Sequence, residues 1–368
     1  MEIIYPGKQP ADALRAAIPA CQLLTEGDPQ CPNWLIAGDN LAVLKHLVDQ
    51  QHLAGQIDLI YLDPPFATQH RFSVSEGRAS TMSARRGGQL AYDDHLTGGD
   101  FLEFLRGRLI LLRELLSEQG SIYLHIDYKV GHYVKVLMDE IFGAAQFRND
   151  LTRIKCNPKN FKRRGYGNVK DLILFYSKGR QPIWQEPYEG YTEADITRLF
   201  PRVDAQGRRY TTIPLHAPGE TQRGATSQPF RGISPPPGRH WRSPVAELEA
   251  LDARGLIEWS RNGNPRRILY ATEQPGKRRQ DVWTFKDPQY PVYPTEKNAD
   301  LLDLIINTSS RPDSRVLDCF CGSGTSLLAA QRLGRPWIGI DASPTALAVV
   351  QQQLKAAQAS FCYWETGT

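Results

Sequence analysis

The apolar run Trp34–Ala37 stops at the polar turn Gly38-Asp39-Asn40, and Leu41, Leu44, Leu47 and Val48 then recur at helical spacing, which predicts strand, turn and helix. The unit repeats at once. Ile57–Leu62 reads as a strand and runs into Asp63-Pro64-Pro65-Phe66, where two prolines forbid continuation of a ladder or a helix. A polar Ser/Gly/Arg-rich stretch, 67–99, reads as a mobile loop. An amphipathic helix over 101–116, a strand over 122–126 and a helix over 133–141 follow. Two β-rich segments, 151–154 and 172–176, have no helix between them and read as an antiparallel hairpin at a sheet edge. After 178 the alternation gives way to Pro, Gly, Arg and aromatic residues. It returns near 295 with helix 299–307, strand 315–318, a glycine turn, helix 326–333, strand 337–340 and helix 345–355.

Strands alternating with helices predict an α/β fold, a doubly wound and mostly parallel sheet covered on both faces, with an irregular lobe inserted in its middle. The expected divisions are 1–178, 179–290 and 291–368. A length of 368 residues, 41% hydrophobic and 23% charged, fits a globular chain with room for a large core. The first ten residues lack the basic start and apolar core of a leader, so the expected location is the cytoplasm. Six cysteines without a C-x-x-C pair or neighbouring histidines suggest reduced thiols, and no metal is expected. A net charge of +4 says little about partners until its distribution is considered.

Val316-Leu317-Asp318-Cys319-Phe320-Cys321-Gly322-Ser323-Gly324-Thr325 sets a glycine-rich turn between a strand and a helix, where open α/β sheets bind nucleoside-like ligands. Asp341 closes the next strand, at the place where an acid bonds ribose hydroxyls, with Ser343 just beyond. Leu327 occupies the third glycine position of a dinucleotide fingerprint, which counts against an oxidoreductase, and no G-x-x-x-x-G-K-[ST] phosphate loop is present. The segment resembles the D-x-F-x-G-S-G-T motif of amino-methylating DNA methyltransferases, with Cys319 where a proline is usual. That resemblance implies S-adenosylmethionine as cofactor, held by Asp318, Phe320, Gly322, Ser323, Gly324 and Thr325. Pro294-Thr295-Glu296-Lys297-Asn298 is similar to the same family's preceding motif, adding Thr295 and Lys297. Asn298 departs from its usual proline, as in type III modification subunits.

Asp63-Pro64-Pro65-Phe66 at a strand end resembles the family's [DNS]-P-P-[YFW] catalytic motif. An aromatic amine is a poor nucleophile because its lone pair is delocalised, so its N–H groups must be held while the nitrogen rehybridises toward the methyl donor. Asp63 and the Pro64 carbonyl suit that task, Pro65 stiffens the turn, and Phe66 offers a stacking face for an extruded base. Aspartate first in the motif is typical of adenine-N6 enzymes, serine of cytosine-N4 enzymes. The order, catalytic half before cofactor half, resembles the circularly permuted β class, in which the acid at the Asp39 position faces the cofactor adenine; a helix N-cap is the plainer reading of Asp39.

Seven basic residues and no acid lie between Arg153 and Lys170, including Lys155, Lys159, Lys162, Arg163 and Arg164, with Phe161 and Tyr166 interleaved. They are expected on phosphates of double-stranded DNA. Arg266, Arg267, Arg278 and Arg279 form a second cluster in the middle lobe, where guanidinium groups suit reading of guanine edges. Expected partners are therefore duplex DNA, with a restriction subunit and a homodimer left open by the resemblance. The rival readings are a cytosine-N4 or RNA-base methyltransferase, a protein-glutamine methyltransferase, and a non-catalytic nucleic-acid-binding protein that kept the fold. His125 and Asp127 are expected to line the pocket wall rather than to act as a general base.

Overall fold

The computed structural model describes residues 2–25, 28, 30–65, 71–75, 78–80, 89–93, 98–158, 162, 164–289 and 296–367. These residues form two compact units, 1–186 together with 280–368, and 187–279.

The larger unit is built on a ten-stranded sheet. In chain order its strands are β1 (Gln22–Thr25), β2 (Trp34–Ala37), β3 (Ile57–Leu62), β4 (Leu116–Ile126), β5 (Phe147–Ile154), β6 (Lys170–Ser177), β7 (Val282–Thr284), β8 (Val316–Asp318), β9 (Trp337–Asp341) and β10 (Cys362–Gly367). Across the sheet they run β1-β10-β2-β9-β8-β3-β4-β6-β5-β7. The stretch from β10 to β4 is parallel throughout. Within it β2, β9, β8 and β3 are adjacent although two of them come from each end of the sequence.

Period-two alternation splits each strand between two cores. Trp34 and Ile36 of β2, Ile60 and Leu62 of β3, and Ile122 and Leu124 of β4 pack under helices α2 (Asn40–Asp49), α3 (Gly98–Leu115) and α4 (Gly131–Phe142), which follow the short α1 (Ala11–Ala17). Leu35, Leu59, Tyr61 and Tyr123 pack on the opposite face under α5 (Ala299–Ser309), α6 (Thr325–Arg332) and α7 (Pro344–Ala356). The sheet is thus covered on both sides, the doubly wound, Rossmann-like arrangement expected from the sequence.

Three details differ from the sequence reading. The antiparallel pair β5–β6 is not at the edge, because the short β7 adds in parallel outside β5. Only three residues long and preceded by a lobe without helical or strand rhythm, β7 carries too little pattern to be recognised. On the other margin β10 adds parallel to β2 and pairs antiparallel with β1, neither of which alternates clearly. Finally, the stretch read as a mobile loop contains strands Arg71–Ser75, Arg78–Ser80 and Gln89–Asp93, joined in an antiparallel three-stranded sheet.

The unit 187–279 has a four-stranded antiparallel sheet, with Arg209–Pro214 and Pro265–Tyr270 at its centre. Its small core holds Leu215, Phe230, Trp241 and Leu248. Helix Glu193–Leu199 opens with a capping box between Thr192 and Asp195, which satisfies backbone donors at its first turn.

Candidate active site

In an open parallel sheet the ligand crevice lies beyond the carboxyl ends of the strands, where the winding changes direction. Here that places the turns after β2, β9, β8 and β3 side by side: Gly38-Asp39, Asp341, Asp318 to Thr325, and Asp63-Pro64-Pro65.

The glycine turn is held from β9. Asp341 accepts from Gly322 N at 2.8 Å through Oδ2 and from Ser343 N at 2.8 Å through Oδ1. Burial pushes this carboxyl above its usual range, against those N–H groups. Gly322 and Gly324 take φ of +51° and +83°, the left-handed region that suits glycine, and a Cβ on Gly324 would collide with Val350. Asp318 is buried and accepts from Ser326 Oγ at 2.5 Å and Phe320 N at 3.0 Å. Burial dominates these bonds and raises its pKa to about 7. Ser323 is buried, with its Oγ 3.4 Å from Thr325 Oγ1, and Ser343 caps α7 through Ala346 N. Gly38 N donates to the Asp341 carbonyl at 3.1 Å, joining the turns after β2 and β9.

Asp39 does cap α2, its Oδ1 accepting from Leu41 N at 2.9 Å and Ala42 N at 3.2 Å. Its side chain is nevertheless 66% exposed, with Oδ2 3.5 Å from Arg108 Nη2. The cap and an outward-facing carboxylate therefore coexist in one residue. A turn of left-handed glycines at a helix N-terminus, an exposed acid at the neighbouring strand end and the half-buried Phe320 ring fit an adenosine-bearing cofactor.

Asp63 lies at the end of β3, one strand from the glycine turn. Its Oδ2 meets Lys297 Nζ at 2.5 Å, and both side chains are mostly buried. Its Oδ1 is buried and has no hydrogen-bond partner among the described residues. Lys297, grouped with the cofactor motif in the sequence, is thus seated on the catalytic motif as well. Pro64 is buried and Pro65 half-buried; Phe66 and Thr295 lie outside the described residues.

Two residues before Asp63 on β3, Tyr61 Oη stands 3.0 Å from His125 Nδ1, and His125 Nε2 stands 3.2 Å from Asp171 Oδ2. Burial lowers the His125 pKa, against the Asp171 hydrogen bond. Asp171 also receives Lys155 Nζ at 2.6 Å and faces Arg153 Nη1 at 3.8 Å. Asp127 accepts from Lys129 N at 2.8 Å at the turn before α4. Sequence reasoning missed Tyr61 and Asp171, whose link through His125 depends on the contact of β3, β4 and β6.

Of the basic residues expected on DNA, Arg153, Arg266 and Lys155 are engaged by other parts of the chain. Arg153 is 1% exposed, donating from Nε to the Phe285 carbonyl and from Nη2 to Asp287, because its strand position faces β7 rather than solvent. Arg266 donates to Thr212 Oγ1 at 2.8 Å and to the Thr212 carbonyl at 2.7 Å across its own sheet. Lys155 is half-buried on Asp171, whereas Lys162, Arg164, Arg267 and Arg278 are exposed and Arg279 is half-buried. Lys159 and Arg163 lie outside the described residues. Unit 187–279 carries 15 of the 44 Lys and Arg residues and 10 of the 40 Asp and Glu residues, so its formal charge of +5 exceeds the +4 of the whole chain.

Residues 57–352 match the family model described as DNA methylase. The chain belongs to that family. It is 41% identical over 334 residues to the type II methyltransferase M.EcaI of Enterobacter cloacae, covering 89% of this chain and 70% of that protein. It is 30% identical over 342 residues to the StyLTI Mod subunit, a type III restriction-modification enzyme of Salmonella typhimurium, covering 82% of this chain and 50% of that one. The crystal structure of the M1.HpyAVI–SAM complex aligns with a TM-score of 0.46 and 17% identity, covering 87% of this chain and 100% of the other. The DNA methylase uses S-adenosylmethionine as methyl donor. No helix among the described residues is long and apolar enough to cross a membrane, and no metal-ligating cluster is found among them.

Proposed function

We propose that this DNA methylase transfers a methyl group to N6 of an adenine flipped out of duplex DNA. The observation that carries the reading is the Asp63 carboxylate, with one oxygen fixed by Lys297 and the other a buried acceptor lacking a partner among the described residues. A buried acceptor in that state costs free energy unless a ligand supplies a donor, and an exocyclic amino group supplies N–H.

Asp63 Oδ1 accepts one amino hydrogen and the Pro64 carbonyl the other, which turns the nitrogen lone pair out of the ring plane. Lys297 prevents the carboxylate from rotating away. S-adenosylmethionine, when bound, would supply a methyl on a sulfonium sulfur that departs as a neutral thioether. The amine taking that methyl would gain positive charge beside Asp63 and pass its proton to solvent. Asp39, Phe320, the turn Gly322 to Thr325, Asp341 and Ser343 hold the cofactor, with Asp318 fixing the turn from below and Thr295 and Lys297 at its methionine end. Phe66 stacks on the base. Aspartate at position 63 and the resemblance to type III modification subunits favour adenine over cytosine.

Unit 187–279 reads the target sequence through arginines such as Arg267, Arg278 and Arg279, while Lys162 and Arg164 engage phosphates. Its excess charge, almost all of it arginine, supports this role. A restriction subunit and a second copy of the chain are the partners this reading would accommodate. Nucleoside analysis of methylated duplex DNA tests it: N6-methyladenine is the expected product, and N4-methylcytosine alone would overturn the base assignment.

A further inference from the structure

Helix α3 contributes no recognised motif, yet its Arg108 is 4% exposed and reaches both halves of the cofactor side. Arg108 Nε donates to Asn40 Oδ1 at 2.6 Å, and Asn40 Nδ2 donates to the Cys319 carbonyl at 2.6 Å. Nη1 donates to the Phe104 carbonyl at 2.8 Å, and Nη2 lies 3.5 Å from Asp39 Oδ2. The guanidinium carbon sits 3.6 Å from the Phe104 ring centroid and 6.0 Å from that of Phe320, and these two rings are 6.1 Å apart. One planar cation therefore bonds the residue after the cap of α2, faces the cap itself, and stacks on Phe104 beside the aromatic residue of the glycine turn. Burial penalises its charge, while Asp39 opposes that penalty. A buried arginine at a strand-end crevice is an expensive choice if packing alone is required, since an apolar side chain would fill the space without desolvating a charge.

We propose that Arg108 is a positioning residue of the cofactor site, clamping the Gly38-Asp39-Asn40 turn to the Asp318–Thr325 turn through Asn40 and the Cys319 carbonyl and aligning Asp39 and Phe320. The proposal rests on the assignment of those turns to S-adenosylmethionine. Lysine cannot replace arginine here. An ammonium lacks the fork that serves Asn40, Phe104 O and Asp39 together, and it does not stack flat on Phe104.

The test is calorimetric titration of S-adenosylmethionine and S-adenosylhomocysteine into wild type, Arg108→Lys, Asn40→Ser, the double variant and Asp341→Asn, with thermal melts of each. Arg108→Lys and Asn40→Ser are expected to weaken both ligands about tenfold. The double variant is expected to weaken them to the same degree rather than a hundredfold, because the two residues act as one link. In turnover, KM for S-adenosylmethionine rises while kcat at saturating cofactor holds. Wild-type affinity in a folded Arg108→Lys or Asn40→Ser protein, or multiplicative losses in the double variant, overturns the proposal. Should Arg108→Lys fail to fold, Asn40→Ser alone decides it. Asp341→Asn separates the two assignments: loss of binding there with none in the Arg108 and Asn40 variants leaves the cofactor site standing and removes only the clamp. Unaltered binding in all of them removes both.

Discussion

Lys297 and Asp63 come from opposite ends of the sequence and meet at 2.5 Å, an ammonium from the segment before α5 against a carboxylate at the end of β3. Chain order separates them by the whole middle unit; sheet order makes β3 the neighbour of β8. The pair ties the segment before α5 to the turn after β3.

Removing one partner of this pair leaves the other charge mostly buried, which costs about 3 kcal/mol in such settings. Lys297→Met is expected to lower the melting temperature and to reduce kcat about 100-fold, since a carboxylate free to swing misplaces the amine. Lys297→Met combined with Asp63→Asn should regain much of the stability and none of the activity. Thermal melts and single-turnover methylation read the two effects separately.

Asp318 predicts a pH dependence. Its folded pKa, raised by burial to about 7, stands above the unfolded value of 3.8. The folded state therefore binds more protons between those limits. Its contribution is fully present below the unfolded pKa and is lost as pH rises toward about 7. Melts of wild type between about pH 4 and pH 8 should show this loss, and Asp318→Asn should flatten it. An unchanged slope in Asp318→Asn would count against a protonated Asp318.

Asp171 has the opposite sign. Burial works against its charge, but the His125 hydrogen bond and the Lys155 ammonium outweigh it and hold the carboxyl well below the usual range. Its stabilisation is present above the unfolded carboxylate pKa and fades as pH falls toward the lower folded value. Asp171→Asn should destabilise the protein by roughly 3 kcal/mol near neutral pH and make its acid unfolding less steep, measured by urea denaturation at several pH values.

Gly324 sets a steric limit. Alanine there must adopt φ near +83° and meet Val350, so Gly324→Ala should lose about 2 kcal/mol of stability and most affinity for S-adenosylmethionine. Thr325→Ser, at the adjacent position with ordinary geometry, should retain the fold.

Much of this was legible in the sequence because the doubly wound pattern is carried by local periodicity. Leu41, Leu44, Leu47 and Val48 mark one face of α2, and the glycine and proline turns mark the strand ends. What was not legible depends on neighbours. Arg153 and Lys162 look alike in a basic run, yet the register of β5 against β7 buries the first. The edge strands β1, β7 and β10 are short, and their pairing comes from the margins they find rather than from their own alternation. Lys297 and Asp63 were each recognisable as motif residues, whereas their pairing was not, because an ion pair across β3 and the approach to α5 has no local signature. Arg108 lay unmarked within an amphipathic helix for the same reason.

The most direct test of the account is transfer of labelled methyl from S-adenosylmethionine to duplex DNA by wild type and Asp63→Asn, with nucleoside analysis of the product and cofactor affinity measured in parallel. The account predicts N6-methyladenine from wild type, and from Asp63→Asn no methylated base despite retained cofactor binding. N6-methyladenine formed at the wild-type rate by Asp63→Asn would contradict it.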